Sequence, residues 1–146
     1  MPIRLGTVGH FCLAVGDVKR SVAWWTKNLN VKKEFEFPGG TVVGTDDVGI
    51  VLIQGTPRPE AIDHISFHLK SMAALRAALK QLKRNRVDIE DPGDEIGPEA
   101  PGSKNMGLWF RDPDGYRWEL SVLAKPAKPA KRPRKRAVAK KSKKKK

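Results

Sequence analysis

The sequence predicts an α+β fold in which two βαβββ modules pair and their mixed sheets curve into a shared cup, followed by a disordered C-terminal tail. Three observations carry this. An alternating strand pattern leads into an amphipathic helix pattern twice along the chain. Placing His10 over His64 also superposes Val8 on Ile62, Leu13 on Phe67, Val15 on Leu69 and Ala23 on Ala77, so the halves repeat in pattern more than in identity. Finally, residues 125–146 hold 13 of the 29 Lys and Arg and none of the 16 Asp and Glu, which leaves residues 1–124 formally neutral.

The first module, about residues 7–56, opens with a strand at 8–15 whose faces separate into Val8, His10, Cys12, Ala14 and into Phe11, Leu13, Val15. Asp17 is placed to cap a helix, because a short acidic side chain can accept from the first free amides. Val18, Val22, Trp25 and Leu29 form its apolar stripe, and Asn30 can take the left-handed conformation that ends it. Three short strands follow at about 33–37, 41–45 and 48–54, divided by Pro38-Gly39-Gly40 and Asp46-Asp47.

The second module, about residues 60–123, repeats the plan. A strand at 62–69 sets Ile62, His64, Ser66 and His68 on one face, and Met72, Leu75, Leu79 and Leu82 mark the helix. A short strand near 87–90 leads into a loop over 91–105, long enough to serve as a lid. Then comes a strand at 106–110 and Asp112-Pro113-Asp114-Gly115, a tight-turn signal in which Pro presets φ and Gly accepts a positive one. The returning strand, 116–122, places Arg117, Glu119 and Ser121 opposite Tyr116, Trp118, Leu120 and Val122. A mid-strand carboxylate among bulky apolar residues needs a cation or a metal. With His10 and His64 it makes two imidazoles and a carboxylate, a donor set that suits a divalent transition metal and leaves coordination positions open. The competing reading is two core histidines and a Glu119 paired with Arg117.

His10-Phe-Cys-Leu-Ala-Val-Gly-Asp17, Asp63-His-Ile-Ser-Phe67 and Phe110-Arg-Asp-Pro-Asp-Gly-Tyr-Arg-Trp-Glu119 resemble the vicinal oxygen chelate superfamily, which includes glyoxalase I, fosfomycin-resistance enzymes, extradiol dioxygenases and bleomycin-resistance proteins. The resemblance covers about residues 7–123 and implies paired modules forming a metal cup, often completed across a homodimer. It makes His10, His64 and Glu119 ligands of one divalent ion, whether Fe, Mn, Ni, Co or Zn. Gln54 stands at the strand end where glyoxalases are expected to place a glutamate. It is read either as a fourth ligand or as an ordinary strand-end polar residue; as an amide it cannot act as a base. The ring-cleaving dioxygenases carry a tyrosine before the turn, where this chain has Trp109, and a histidine earlier, which residues 103–109 lack, so extradiol cleavage is disfavoured.

The resulting expectation is a metal-dependent lyase or isomerase of glyoxalase type acting on a small substrate with vicinal oxygens. Glu119 and His68 are the candidate proton carriers, with Arg117, Ser66 and Cys12 lining the substrate site and Ser121 beside them. The alternatives are a thiol transferase of the fosfomycin-resistance kind, or a bleomycin-resistance-like binding protein tethered to nucleic acid by its tail. That tail can hold phosphate backbones by charge without reading sequence, since it has no aromatic residue. A lone cysteine, the absence of an apolar signal-peptide stretch at 1–5 and the lack of any run near 18 apolar residues lead to the expectation of a cytoplasmic protein without a membrane span.

Overall fold

The computed structural model describes residues 1–125, so the basic tail lies outside the described residues except for Lys125. Its elements are β1 (His10–Val15), α1 (Val18–Leu29), β2 (Lys32–Phe37), β3 (Gly40–Gly44), β4 (Gly49–Gln54), β5 (Ile65–His68), α2 (Met72–Arg84), β6 (Asp88–Ile89), β7 (Ile96–Pro98), β8 (Met106–Arg111) and β9 (Arg117–Val122), with a short 3-10 turn at Pro59–Ala61. The two sheets have matching order, β1-β4-β3-β2 and β5-β9-β8-β6, the first strand of each module lying parallel to the last. The βαβββ repeat is therefore a repeat of topology.

Both helices start and stop on chemistry visible in the chain. Asp17 Oδ1 accepts from Arg20 N at 2.9 Å and Ser71 Oγ from Ala74 N at 3.1 Å, each satisfying an amide the first turn cannot. Asn30 ends α1 at φ 52°, the left-handed stop. The apolar faces of both sheets meet the helices in one core: Leu13, Val15, Ile50 and Leu52 from the first, Leu108, Phe110, Trp118 and Leu120 from the second. Trp25 of α1 crosses between them, packing edge-on to Trp118 at 4.8 Å between ring centroids.

Three sequence expectations change. β1 begins at His10 and β5 at Ile65, because the partner strands supply no ladder before Gly49 and Trp118; Val8 and Ile62 are exposed. His64 thus precedes its strand. The long loop 91–105 is interrupted by β7, which pairs with β8. Gly97 and Pro98 hid it from the alternation pattern, and an edge position is where a strand tolerates them.

The Asp-Pro-Asp-Gly turn joins the modules. Asp112 takes the amides of Asp114 and Tyr116 on Oδ1, both at 3.0 Å, and the Trp118 indole N–H on Oδ2 at 3.1 Å. Asp114 accepts from Arg20 Nη2 at 2.6 Å and from Gly16 N at 3.2 Å in the first module, and the Tyr116 hydroxyl donates to Ala14 O at 2.8 Å. Gly115 sits at φ +87°, where an L side chain would be strained.

Candidate functional site

Register decides which side chains share a face. In the second sheet Ser66 stands opposite Glu119, His68 opposite Ser121, Trp109 opposite Glu119 and Gly107 opposite Ser121. His64, two residues before Ser66, falls on the same side. His64 Nε2 lies 3.2 Å from Glu119 Oε2, and the Ser66 and Ser121 hydroxyls bond at 2.9 Å. Glu119 is only 2% exposed, and its other oxygen, Oε1, is buried with no hydrogen-bond partner. Burial, the main cause, pushes the Glu119 carboxyl above its ordinary range; the Ser66 hydroxyl opposes this, the neighbouring Glu99 charge adds to it, and His64 opposes it.

Trp109 and Gly107 shape the space. A Cβ on Gly107 would come 2.5 Å from Glu119 Oε1 and 2.7 Å from the Trp109 ring, so only glycine leaves room there. The Arg117 guanidinium stands 5.8 Å from the Trp109 ring centroid. Trp109, Gly107 and Glu99 belong to the site and were not singled out for it from sequence. The hairpin register, which sets Trp109 opposite Glu119, is what reveals it.

Arg117 is held by two carboxylates. Its Nε and Nη2 grip both oxygens of Glu90, at 2.7 and 2.8 Å, and Nη1 reaches Asp63 Oδ1 at 3.2 Å. Arg117 thus pairs with Glu90 and Asp63 and not with Glu119, in an ion-pair network behind His64. The same network holds the Glu90 carboxyl below its usual range, with Arg117 as the chief cause.

The first module contributes differently. His10 and Cys12 are exposed, on a face shared with Val51 and Ile53. Gln54 is on the other face, in register with Val15 and in line with Ile50 and Leu52. Its Nε2 donates to Gly16 O at 2.7 Å and its Oε1 accepts from Val18 N at 3.3 Å, so the amide ties the start of α1 to the sheet. Within one chain Gln54 and His10 therefore lie on opposite faces of the first sheet. Among the described residues no group of three or more His, Cys, Asp or Glu lies close enough to hold a metal ion. One chain brings together His64 and Glu119, and His10 stays apart from them.

The model of the Glyoxalase/Bleomycin resistance protein/Dioxygenase superfamily matches residues 7–120. The chain belongs to that superfamily. Among solved structures, a glyoxalase/bleomycin resistance protein/dioxygenase from Nocardioides is similar at 17% identity and TM-score 0.67, over 90% of this chain and 93% of that one. Lactoylglutathione lyase from Agrobacterium tumefaciens is similar at 13% identity and TM-score 0.64, over 81% and 94%. A genomically encoded fosfomycin resistance protein from Listeria monocytogenes is similar at 16% identity and TM-score 0.63, over 85% and 96%. At these identities the likeness is one of fold. No curated protein matches the chain. No helix among the described residues is long and apolar enough to cross a membrane.

The superfamily implies a divalent metal, and the residues present fit one. A buried carboxylate with an orphaned oxygen, for which Gly107 leaves room, and an imidazole nitrogen beside it form an incomplete donor set.

Proposed function

We propose that the domain is a metal-dependent enzyme of the glyoxalase type, a lyase or isomerase acting on a small substrate with two neighbouring oxygens. The observation that carries this reading is Glu119: fully buried, beside His64, with Oε1 unpartnered. A carboxylate left so is costly unless a cation completes it. His64 and Glu119 would hold a divalent ion together with His10 from the first module of a second copy of the chain. The exposed His10 and the unpaired outer edges of β1 and β5 support a homodimer in which the cup closes between chains. The ion would polarise the substrate oxygens and offset the negative charge that develops on them.

The chain's own residues do the rest. Glu119, with its raised carboxyl, is the proton carrier nearest the site, and His68 follows two positions beyond Ser66 on the same face. Ser66 and Ser121 hold their hydroxyls toward that face. Cys12 would line the partner half beside His10. Thiol transfer of the fosfomycin-resistance kind needs the same ligands and is the neighbouring alternative.

Elemental mass spectrometry on purified protein tests this. The expected result is one divalent ion per chain, lost in His10→Ala, His64→Ala and Glu119→Gln with folding intact. Mixing His10→Ala with Glu119→Gln chains restores about a quarter of the ions if the cup closes across two chains, because half of the randomly mixed dimers pair the two variants and each of these rebuilds one of its two sites. Retained metal in Glu119→Gln would sink the assignment.

A second reading has its own observation. A cleft of ≈ 810 Å³ between the modules is lined by Phe11, Trp25, Ile50, Phe67, Leu82 and Leu120, with Ser66 and His68 also at its wall. Such an apolar cleft suits sequestration of a small molecule. Ligand binding that survives Glu119→Gln and is lost in Phe67→Asp would favour that reading. Nucleic-acid attachment through 126–146 is a separate proposal, tested by whether truncation at 125 abolishes salt-sensitive retention on DNA.

A further inference from the structure

Behind His64 runs a chain of charged groups that the proposed reaction does not use. His64 Nδ1 lies 2.5 Å from Asp63 Oδ1, and the same oxygen accepts from Arg117 Nη1 at 3.2 Å. Arg117 is itself fixed by the two-pronged contact to Glu90, and Arg111 approaches Glu90 at 3.5 Å while donating to Gly115 O at 2.9 Å. Arg111 and Arg117 face each other across the hairpin, so the network is rooted at the Asp-Pro-Asp-Gly turn. Asp63 is the most exposed member of the network, at 83% for its side chain.

We propose that Asp63, anchored by Arg117, is the positioning residue of the site: it holds the proton of His64 on Nδ1, so that the Nε2 lone pair is left free for the ion that His64 would share with Glu119. A carboxylate can only accept, so the short contact demands an N–H at Nδ1. An imidazole whose outer nitrogen donates to a carboxylate is fixed in ring orientation and becomes a stronger ligand through the other nitrogen. The arrangement also accounts for Arg117, whose charge is spent on Glu90 and Asp63 and not on a substrate. Glu119 lies on the inner side of the ring and Asp63 on the outer, so the two carboxylates have separate tasks.

The inference rests on the metal reading for its consequence but not for its geometry, and two measurements separate them. In metal-free Glu119→Gln protein, where Nε2 no longer faces a carboxylate, long-range ¹⁵N correlation spectra report the His64 tautomer, with the signal assigned by a His64→Gln control. The expected result is an Nδ1–H tautomer that gives way to mostly Nε2–H when Asp63→Ala is added, His10 and His68 being unmoved. With Glu119 intact, Zn²⁺ and Co²⁺ titrations should show about 10- to 100-fold weaker binding in Asp63→Ala, with Asp63→Asn in between because its amide oxygen still accepts. A tautomer indifferent to Asp63→Ala overturns the proposal whatever the metal does. A tautomer that responds in a protein that binds no divalent ion leaves the positioning role standing and removes the metal reading alone. A responding tautomer with affinity unchanged within twofold overturns the claim that positioning serves the ion.

Discussion

The two modules share topology and register yet treat the same face in opposite ways. With His10 laid over His64, Cys12 matches Ser66, and their partners across the sheet, Val51 and Glu119, match each other. In the first module that face carries His10, Cys12, Val51, Ile53 and Phe35, and stays largely open: Ile53 is 39% exposed and Phe35 57%. In the second it carries Ser66, Glu119, Ser121 and Trp109, and Glu119 and Ser121 are sealed from solvent. One half offers a histidine on an apolar, unpartnered sheet. The other offers a polar, enclosed half-site. The two halves share a scaffold and differ in the side chains at matched positions.

The turns that close the two sheets differ as sharply, and the largest effect should appear there. Asp112→Ala strands the Trp118 indole N–H and two backbone amides in a buried hairpin, and is expected to cost about 2–4 kcal/mol in urea unfolding. In the first module the matching turn relies on Thr45 Oγ1 accepting from Asp47 N at 3.2 Å, in an exposed setting. Thr45→Ala should cost under about 1 kcal/mol. Equal costs would mean that the hairpin's links to Arg20, Gly16 and Ala14 do not bind the modules together.

The same turn gives a pH signature. Burial, the main cause, pushes Asp112 up to about 6 from an ordinary 3.8, against the pull of the Trp118 N–H and two backbone amides. The folded state thus binds this proton more tightly than the unfolded chain, so its contribution is fully present below pH about 4 and declines as pH rises to about 6. Glu95, held at about 2 beside Lys83, acts with the opposite sign: its contribution is present above an ordinary 4.5 and fades as pH falls toward 2. Unfolding followed from pH 3 to pH 8 should therefore show a maximum near pH 4–5. In Asp112→Asn the decline on the alkaline side should be shallower; an unchanged decline would remove Asp112 as its source.

Glu119 should behave unlike any residue on the matching face of the first module. In metal-free protein, Glu119→Gln is expected to raise stability by about 1 kcal/mol at pH 7, because it removes a buried charge with an unpartnered oxygen. A Val51→Thr change at the matched position should shift stability by less than that, since Val51 is only half-buried. A destabilised Glu119→Gln would show that the carboxylate is held by protein contacts and needs no ion.

Much of this was legible before any coordinates. Asp17, Asn30 and the Asp-Pro-Asp-Gly turn declare themselves because caps and turns are local chemistry. Alternation likewise assigned His64, Ser66, His68, Glu119 and Ser121 their faces, since a strand has period two. What stayed hidden was nonlocal. Nothing in residues 60–65 announces that Asp63 will meet Arg117 and that Arg117 will meet Glu90, because such pairs are made by sheet register. Trp109 could be placed opposite Glu119 only once the hairpin register was fixed. β7 was concealed by Gly97 and Pro98, and Gln54 by a resemblance followed across a strand end, where one residue decides the face.

Gln54 offers the smallest and cleanest separation of structural from functional roles. Its amide spans from Gly16 O to Val18 N, replacing the water that would otherwise serve the first turn of α1. The second module has no such brace; there Ser71 caps α2 on Ala74 N alone. Gln54→Ala should therefore cost about 0.5–1.5 kcal/mol in thermal unfolding, the range of a lost helix cap, while metal stoichiometry stays unchanged. Gln54→Glu keeps an acceptor for Val18 N and adds a negative charge at a helix N-terminus, so it should recover part of that loss. Metal lost in Gln54→Ala, with His64→Ala as the reference, would return Gln54 to the ligand set and require the first-module sheet to reverse the face it presents.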